Sequence, residues 1–480
     1  MQEILINQIN QGGMADSKYE GEANSVSKIV GIDLHSEPGL LKANYKLKKD
    51  SGSTIDEFCK CIVTSSNGNV YFFSSESGKV WRKKNDTYTL HYTTAPTGGE
   101  AKILGAAEYK GYIYWATENY LFRVQVSSDN WGTDAVEWQE FAQGDKDYHP
   151  MAIARDGLYI GDDYFLAQVK PAPADPYGEH IFTDSALDLM MEHKIKSLSA
   201  IDIQLAIGTY VDNEVNKTTI YRWDTWTYTW NMEDEIDEVG INAFIPVDNY
   251  FFVQAGNTGS IYSYDYNMLY LTKRIPGDWD GQQSSRVLPN ATAFFKQRPL
   301  FGVSKEEGAV ASGAIPGVYS FATMNPRIYH RVMAIEYITS TYSDNTIIGA
   351  IGVKGNQLYV SWKDGAETGI DIIDYENRYT DAYLESRVIY LDRKSAHSYT
   401  DFSIGYVELP ENCNIKAYIK QNYAETWTEI ILTQDEIRKK FYSDLRLESN
   451  VVEFKIELIG NGANTPSVDY ISLTGEEHRG

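Results

Sequence analysis

Asn67-Gly68-Asn69-Val70-Tyr71-Phe72-Phe73 is a turn followed at once by a run of aromatic and β-branched residues. Gly in such a turn takes φ > 0 without steric cost, and the run after it suits a half-buried strand. The same beat returns at Lys110-Gly111-Tyr112-Ile113-Tyr114-Trp115, Arg155-Asp156-Gly157-Leu158-Tyr159-Ile160 and Ile203-Gln204-Leu205-Ala206-Ile207. It continues at Asp248-Asn249-Tyr250-Phe251-Phe252, Lys296-Gln297-Arg298-Pro299-Leu300-Phe301 and Lys354-Gly355-Asn356-Gln357-Leu358-Tyr359-Val360. Counted from Gly68, Gly111, Gly157, Gln204, Asn249, Gln297 and Gly355, the steps are 43, 46, 47, 45, 48 and 58 residues. A repeat of that length in a strand-rich chain predicts a radial array of four-stranded blades, a β-propeller.

Each beat has a second apolar run downstream, from Lys79-Val80-Trp81 in the first to Gly369-Ile370-Asp371-Ile372 in the last. Seven such pairs fit seven blades, with six or eight left open by the irregular last three. The propeller is expected over residues 51–382. Insertions near 170–195 and 303–316 read as loops, and Ser185 to Lys196 as a short helix.

The period stops near residue 383. Separate period-two strands follow, among them Phe402 to Val407, Asn414 to Ile419 and Val468 to Leu473, with polar turns between them. They predict a jelly-roll-like β-sandwich over 383–480. Thr433-Gln434-Asp435-Glu436-Ile437 reads as a capping box opening one helix.

Residues 1–50 differ from both. Gly12-Gly13-Met14-Ala15-Asp16-Ser17 and Gly21-Glu22-Ala23-Asn24-Ser25 are too polar and too small to bury much apolar area alone. They predict an extended N-terminal arm followed by a hairpin from Ile29 to Leu47, turning at Ser36-Glu37-Pro38-Gly39. Ile4, Ile6, Ile9, Met14 and Tyr19 are the apolar residues of the arm. Left in water they cost free energy in proportion to their area, so they are expected to dock on a neighbouring subunit. The alternative is that the arm folds back on its own propeller.

The 480 residues carry a net charge of −24, which opposes non-specific binding to nucleic acid or to an anionic membrane. Were the chain to ring a DNA channel, an acidic lumen would repel the duplex and let it slide. Three cysteines are too few for a disulfide framework. Cys59 and Cys61 share one strand face and read as packing residues. The N-terminus has no basic, apolar leader pattern and no apolar run is long enough to span a membrane, so synthesis in the cytosol is expected.

Catalytic, cofactor and metal patterns do not emerge. The eight histidines show no His-x-Glu-x-x-His spacing, and there is no phosphate loop and no nucleophile elbow. His35 and His149 read as structural hydrogen-bonders. Asp162-Asp163 and Glu233-Asp234-Glu235 read as solvated turns, and Ser127-Ser128-Asp129-Asn130-Trp131-Gly132 is only superficially like a sialidase box. Trp223-Asp224-Thr225-Trp226-Thr227-Tyr228-Thr229-Trp230 reads as an outer strand. Trp226, Tyr228 and Trp230 within it form a candidate aromatic platform for stacking on a sugar ring.

The run Gly12-Gly13-Met14-Ala15-Asp16-Ser17-Lys18-Tyr19-Glu20-Gly21, then Asn24-Ser25, then Gly31-Ile32-Asp33-Leu34-His35-Ser36-Glu37-Pro38-Gly39-Leu40-Leu41-Lys42 resembles the N-terminus of tailed-bacteriophage virion proteins. In outline the chain is also similar to the tail nozzle proteins of short-tailed phages. Asn464-Thr465-Pro466-Ser467-Val468-Asp469-Tyr470-Ile471 looks like the closing strand of phage structural sandwich modules. The resemblance is specific only over residues 12–42. It implies a virion tail protein made in the host cytoplasm. Its partners would be other tail proteins and copies of itself, with passage of viral DNA but no specific binding to it. It carries over no catalytic residue. A receptor- or glycan-binding propeller for host attachment is the alternative, and a glycoside-acting enzyme the third reading.

Overall fold

The computed structural model describes the chain apart from residues 1, 7–11, 23, 38, 53, 174, 202–203, 213–216, 248–249, 266–267, 278–283, 306–312, 326–327, 391–396 and 478–480. It divides into two compact units. One holds Lys49–Pro316 and Thr341–Ile372, and the other Met1–Lys48, Gly317–Ser340 and Ile373–Gly480.

The first unit contains five complete antiparallel sheets of four consecutive strands. The first sheet is Cys59–Thr64, Val70–Ser74, Lys79–Lys84 and Thr87–Thr93, and the second Gly105–Tyr109, Tyr112–Ala116, Tyr120–Gln125 and Val136–Glu140. The third is Met151–Ala154, Gly157–Asp162, Phe165–Ala172 and Asp175–Asp188. The fourth is Lys194–Ile201, Gln204–Tyr210, Thr218–Trp223 and Met232–Ile236, and the fifth Ile241–Val247, Tyr250–Ala255, Ser260–Asp265 and Met268–Arg274. A sixth member begins with the paired strands Ser285–Phe295 and Arg298–Lys305. A seventh begins with Ile347–Lys354 and Gln357–Asp364, followed by Glu367–Arg378.

The first strands of these members touch in succession, and the seventh touches the first. Beside the last member, the Asp50 N–H donates to the Ile370 carbonyl (2.9 Å) and the Ile370 N–H donates to Ser51 Oγ (3.1 Å). The segment leading into the first sheet thereby covers the edge of the seventh member, which would otherwise present unpaired backbone groups. This is a β-propeller. Every beat of the sequence falls on the second strand of a member, where burial is heaviest: Val70–Ser74 is buried throughout.

Neighbouring members pack through glycines. A Cβ on Gly208 would stand 2.5 Å from Ile241 Cγ2 of the next sheet, and one on Gly302 would stand 2.5 Å from Ile348 Cγ2. Rings fill the remaining gaps. Trp131 stacks on Trp115 at 5.3 Å and on Tyr71 at 4.8 Å. The Ser127–Gly132 stretch therefore supplies a buried plug between the first and second sheets.

The helix expected over residues 185–196 is strand and turn instead. Leu187 pairs with Leu166 and Asp188 with Phe165. Leu187, Leu189 and Ile195 are buried, an alternation that suits sheet pairing better than a helical face.

The second unit is woven from both ends of the chain. One sheet runs in the order Gln2–Ile6, Ser467–Glu477, His397–Glu408, Lys440–Ser449 and Thr433–Asp435. Another carries, side by side, Gly317–Asn325, Ile328–Tyr337, Lys28–Val30, Asp381–Glu385, Val452–Ile459, Asn414–Gln421 and Thr428–Ile430. Val452–Ile459 buries every second residue, and its Phe454 ring meets Phe402 of the first sheet at 5.5 Å.

These pairings correct three expectations. The arm does not stay extended for a neighbour, because Gln2–Ile6 pairs antiparallel with residues 471–475 of the same chain. Lys28–Val30 is not part of the predicted hairpin. It lies between Ile328–Tyr337 and Asp381–Glu385, while Ile32–Asp33 pairs locally with Lys42–Ala43. The contiguous division into 1–50, 51–382 and 383–480 gives way to units assembled from separated segments. Thr433–Asp435 is also strand, not helix: Ile437 is exposed, so the segment has no apolar face for a helix to bury.

Of the arm residues, Met14 is buried at 1% exposure and Ile6 is buried, Ile4 is half-buried, and Tyr19 is exposed. Ile9 lies outside the described residues. The glycines of the arm serve close approach within the unit. Gly13 has φ +59, and a Cβ there would stand 2.8 Å from Val332 Cβ.

Candidate functional site

The residues singled out for chemistry are mostly structural. His149 is buried, with Nδ1 2.6 Å from the Gly161 carbonyl and Nε2 3.0 Å from the Glu118 carbonyl, so it links the second and third sheets. In the second unit, His35 Nε2 lies 3.4 Å from Glu336, which also accepts from Asn44 Nδ2 (2.9 Å) and Ser320 Oγ (2.8 Å). Burial pushes the Cys61 thiol up to about 12 and raises Cys59 as well, which suits packing thiols and not nucleophiles. Among the described residues no cluster of three His, Cys, Asp or Glu could hold a metal. No described helix is long and apolar enough to cross a membrane.

One acidic pair departs from its expectation. Asp162 is fully buried, not solvated, and accepts from the backbone N–H groups of Gln143 (3.0 Å) and Gly144 (2.8 Å). Burial raises the pKa of its carboxyl despite these bonds. It ties the end of the second sheet to the third.

The predicted outer strand at 223–230 is a loop. Asp224 accepts from the backbone N–H groups of Trp226 (2.8 Å) and Thr227 (3.0 Å), and Trp223 Nε1 donates to the Thr227 carbonyl (2.8 Å). Thr225 at the tip has φ +68, a conformation rarely adopted by a β-branched residue. Burial alone would raise Asp224, but its hydrogen bonds to Thr227, Trp226 and Asn231 prevail and hold it down at about 2. The loop places Trp226 at 76% and Tyr228 at 100% exposure. The Arg155 guanidinium stands 5.0 Å from the centre of the Trp226 ring. Trp230 turns away and meets Tyr221 at 4.9 Å, so it does not stand exposed with Trp226 and Tyr228.

The propeller also holds a cavity of about 530 Å³ where its first strands begin. Its lining inverts the charge of the chain. Lys60, Lys102, Lys146 and Lys196 enter from the first four members, Arg286 and Lys305 from the sixth and Lys363 from the seventh. Among the described lining residues two are acids, Glu76 and Asp147. Lys363 pairs with Glu76 (2.6 Å), Lys102 with Glu100 (2.5 Å) and Lys146 with Glu118 (3.8 Å). Lys196 donates to the amide oxygen of Asn242 (2.6 Å), and Lys305 to that of Asn345 (3.0 Å). The sequence held a signal for this cluster: Lys60, Lys102, Lys146 and Lys196 follow one another at 42, 44 and 50 residues, close to the period of the beats.

No family model and no curated protein matches the chain. Among solved structures it is similar to the extracellular domain of a one component system from B. thetaiotaomicron, at 13% identity and a TM-score of 0.45. That match covers 84% of this chain and 51% of the other, so the chain spans about half the length of that domain. It is similar to the Dos1 propeller at 12% identity and a TM-score of 0.43, over 69% of this chain and 94% of the other. Streptogramin B lyase matches at 11% identity and a TM-score of 0.46, over 68% and 97%.

Proposed function

We propose that the chain is a structural component of a tailed-bacteriophage virion, a nozzle, ring or tail-attached subunit that acts through assembly and not through catalysis. The observation that carries this reading is the segment of residues 12–42, which resembles the N-terminus of such proteins and is built into the second unit. Gly31, which opens its second motif, has φ +67, and a Cβ there would stand 2.8 Å from Tyr379. Asp33 accepts from the backbone N–H groups of His35 (2.9 Å) and Ser36 (3.1 Å), which shapes the turn that follows. A motif whose residues answer to backbone geometry and burial fits a scaffold better than a reaction centre. The closed succession of seven first strands supports a count of seven blades, and the meeting of Phe402 and Phe454 supports a sandwich among the C-terminal strands. In this reading the partners are other tail proteins and copies of this chain, and DNA passes without specific binding. Mass spectrometry of purified particles of the encoding phage tests it. The chain should be present at a fixed copy number and labelled Fab should decorate the tail. Absence from washed particles contradicts it.

The exposed Trp226 and Tyr228 favour one second reading, attachment to a glycan on the host surface. Ring stacking on a sugar face needs such an exposed aromatic. A glycan array probed with the full chain and with W226A/Y228A tests it. Binding lost in the variant supports attachment, and a blank array with the full chain removes it.

A further inference from the structure

The last strand of each complete propeller sheet is an edge, and an edge can template pairing with another chain. Four of these five edges carry little that invites it. Among the described residues they show one exposed large apolar side chain apiece: Leu90, Val136, Ile181 and Met232. Val136–Glu140, Asp175–Asp188 and Met232–Ile236 each carry at least two acids and no Lys or Arg, so two copies meeting there would repel. The fifth edge differs. Met268–Arg274 exposes Met268 at 63%, Tyr270 at 49% and Leu271 at 43%. It contains no acid and ends in Lys273 and Arg274, in a chain whose net charge is −24.

We infer that Met268–Arg274 is the interface at which two copies of this chain pair edge to edge, antiparallel about Leu271, joining their fifth sheets into one. The strand is complementary to itself in that alignment. Two-fold symmetry sets Leu271 against the partner's Leu271, Tyr270 against the partner's Thr272, Leu269 against the partner's Lys273 and Met268 against the partner's Arg274. The cationic end of each strand meets the apolar end of the other, so no like charges stand opposite. Met232–Ile236 paired with itself about Asp234 would instead set Asp234 against the partner's Asp234 and Glu233 against the partner's Glu235. Tyr270 also gains the partner's Arg274 as a diagonal neighbour on the same sheet face, within reach of a cation–π contact. Each copy thus offers a cationic edge to a molecule that is acidic overall, which offsets the repulsion between the two. A single strand pair buries less than a standard interface, so the dimer is weak and depends on concentration. It does not require the virion reading.

Sedimentation velocity on the full chain, from about 1 μM to about 300 μM, tests the dimer. The sedimenting mass should rise from one chain to two across that range, and hydrogen exchange of residues 268–274 should slow as it does. Leu271→Lys sets two like charges against each other on the symmetry axis and should weaken the dimer about tenfold. Leu271→Glu should do the same. An equimolar mixture of the two variants should dimerise again, because opposite charges then meet on the axis. Leu90→Lys, on the outer strand of the first sheet, should dimerise like the parent. If Leu271→Lys does not fold, Met268 carries the test. Met268→Glu faces the partner's Arg274 and should tighten the dimer severalfold, while Met268→Lys should weaken it. A chain that stays monomeric at about 300 μM overturns the inference. So does a dimer untouched by Leu271→Lys, an equal loss in Leu90→Lys, or a mixture of the two Leu271 variants that fails to reassociate.

Discussion

The two units of this molecule are both all-β, but they are built in opposite ways. Within each of the five complete propeller sheets, strands adjacent in the chain pair with one another, as Val70–Ser74 pairs with Cys59–Thr64. In the second unit a strand from residues 28–30 sits between strands from residues 328–337 and 381–385. Residues 2–6 likewise pair with residues 471–475. Short hairpins cost little loop entropy and leave a local signature of turn plus alternating strand. Long-range pairings cost more entropy and leave no signature at either partner. The difference decides what each unit tolerates and what a reader of the sequence can find in it.

Deletion of residues 1–30 sets the two construction modes most sharply against each other. It removes a central strand and an edge strand from the second unit, so that unit should fail to fold, with loss of its cooperative melting transition by calorimetry. Expression of 384–480 alone should fail in the same way, because its sheets would lack Gln2–Ile6, Lys28–Val30 and Ile328–Tyr337. A truncated chain that keeps both transitions would show the N-terminal strands to be decoration.

Phe454→Ala, at the ring contact with Phe402, should cost about 3–5 kcal/mol in urea denaturation, felt in the second unit. Gly208→Ala acts in the propeller. Its new Cβ would crowd Ile241 Cγ2 at 2.5 Å and Ser197 Oγ, and neighbouring sheets must shift to admit it. A loss of about 1–3 kcal/mol is expected. If Gly208→Ala proves neutral, contact between sheets is looser than the glycine pattern implies.

The smallest effect is a pH dependence confined to the propeller. Burial, helped by the charge of Arg82, depresses His91 to about 4, and its ring lies 5.1 Å from Trp131. An unfolded histidine titrates near about 6.5. Between those values the unfolded chain takes up the proton and the folded one does not, so stability falls on acidification through that window and is fully present above it. His91→Phe should flatten the fall in melting temperature between pH 7 and pH 4, as read by calorimetry at matched ionic strength.

The legible parts of the fold follow the same division. The seven beats landed on second strands because those residues are buried on both faces and preceded by obligatory turns. Residues 185–196 and 433–437 misled because local helix signals were outweighed by pairing with Phe165–Leu166 and with Lys440–Tyr442. The arm was legible as too polar to fold alone. That it folds with residues 333 and 471–475 could not be read from its own composition. Of the candidate sites, Trp226 and Tyr228 were visible as residues but not as a loop, because Asp224 makes its turn by side-chain bonds to the backbone. Asp162 was hidden by its exposed-looking neighbour Asp163. The lysines of the cavity left a spacing close to the beat period, but they lie far apart in a sequence whose overall charge has the opposite sign.

Hydrogen exchange with mass spectrometry on the full chain tests the central claim, that the second unit is woven from both chain ends, most directly. The claim predicts that peptides covering residues 2–6 and 28–30 exchange as slowly as those covering 328–337, 452–459 and 467–475, and that all of them open together as denaturant is raised. Rapid exchange of residues 2–6 and 28–30, with the C-terminal strands still protected, would contradict it.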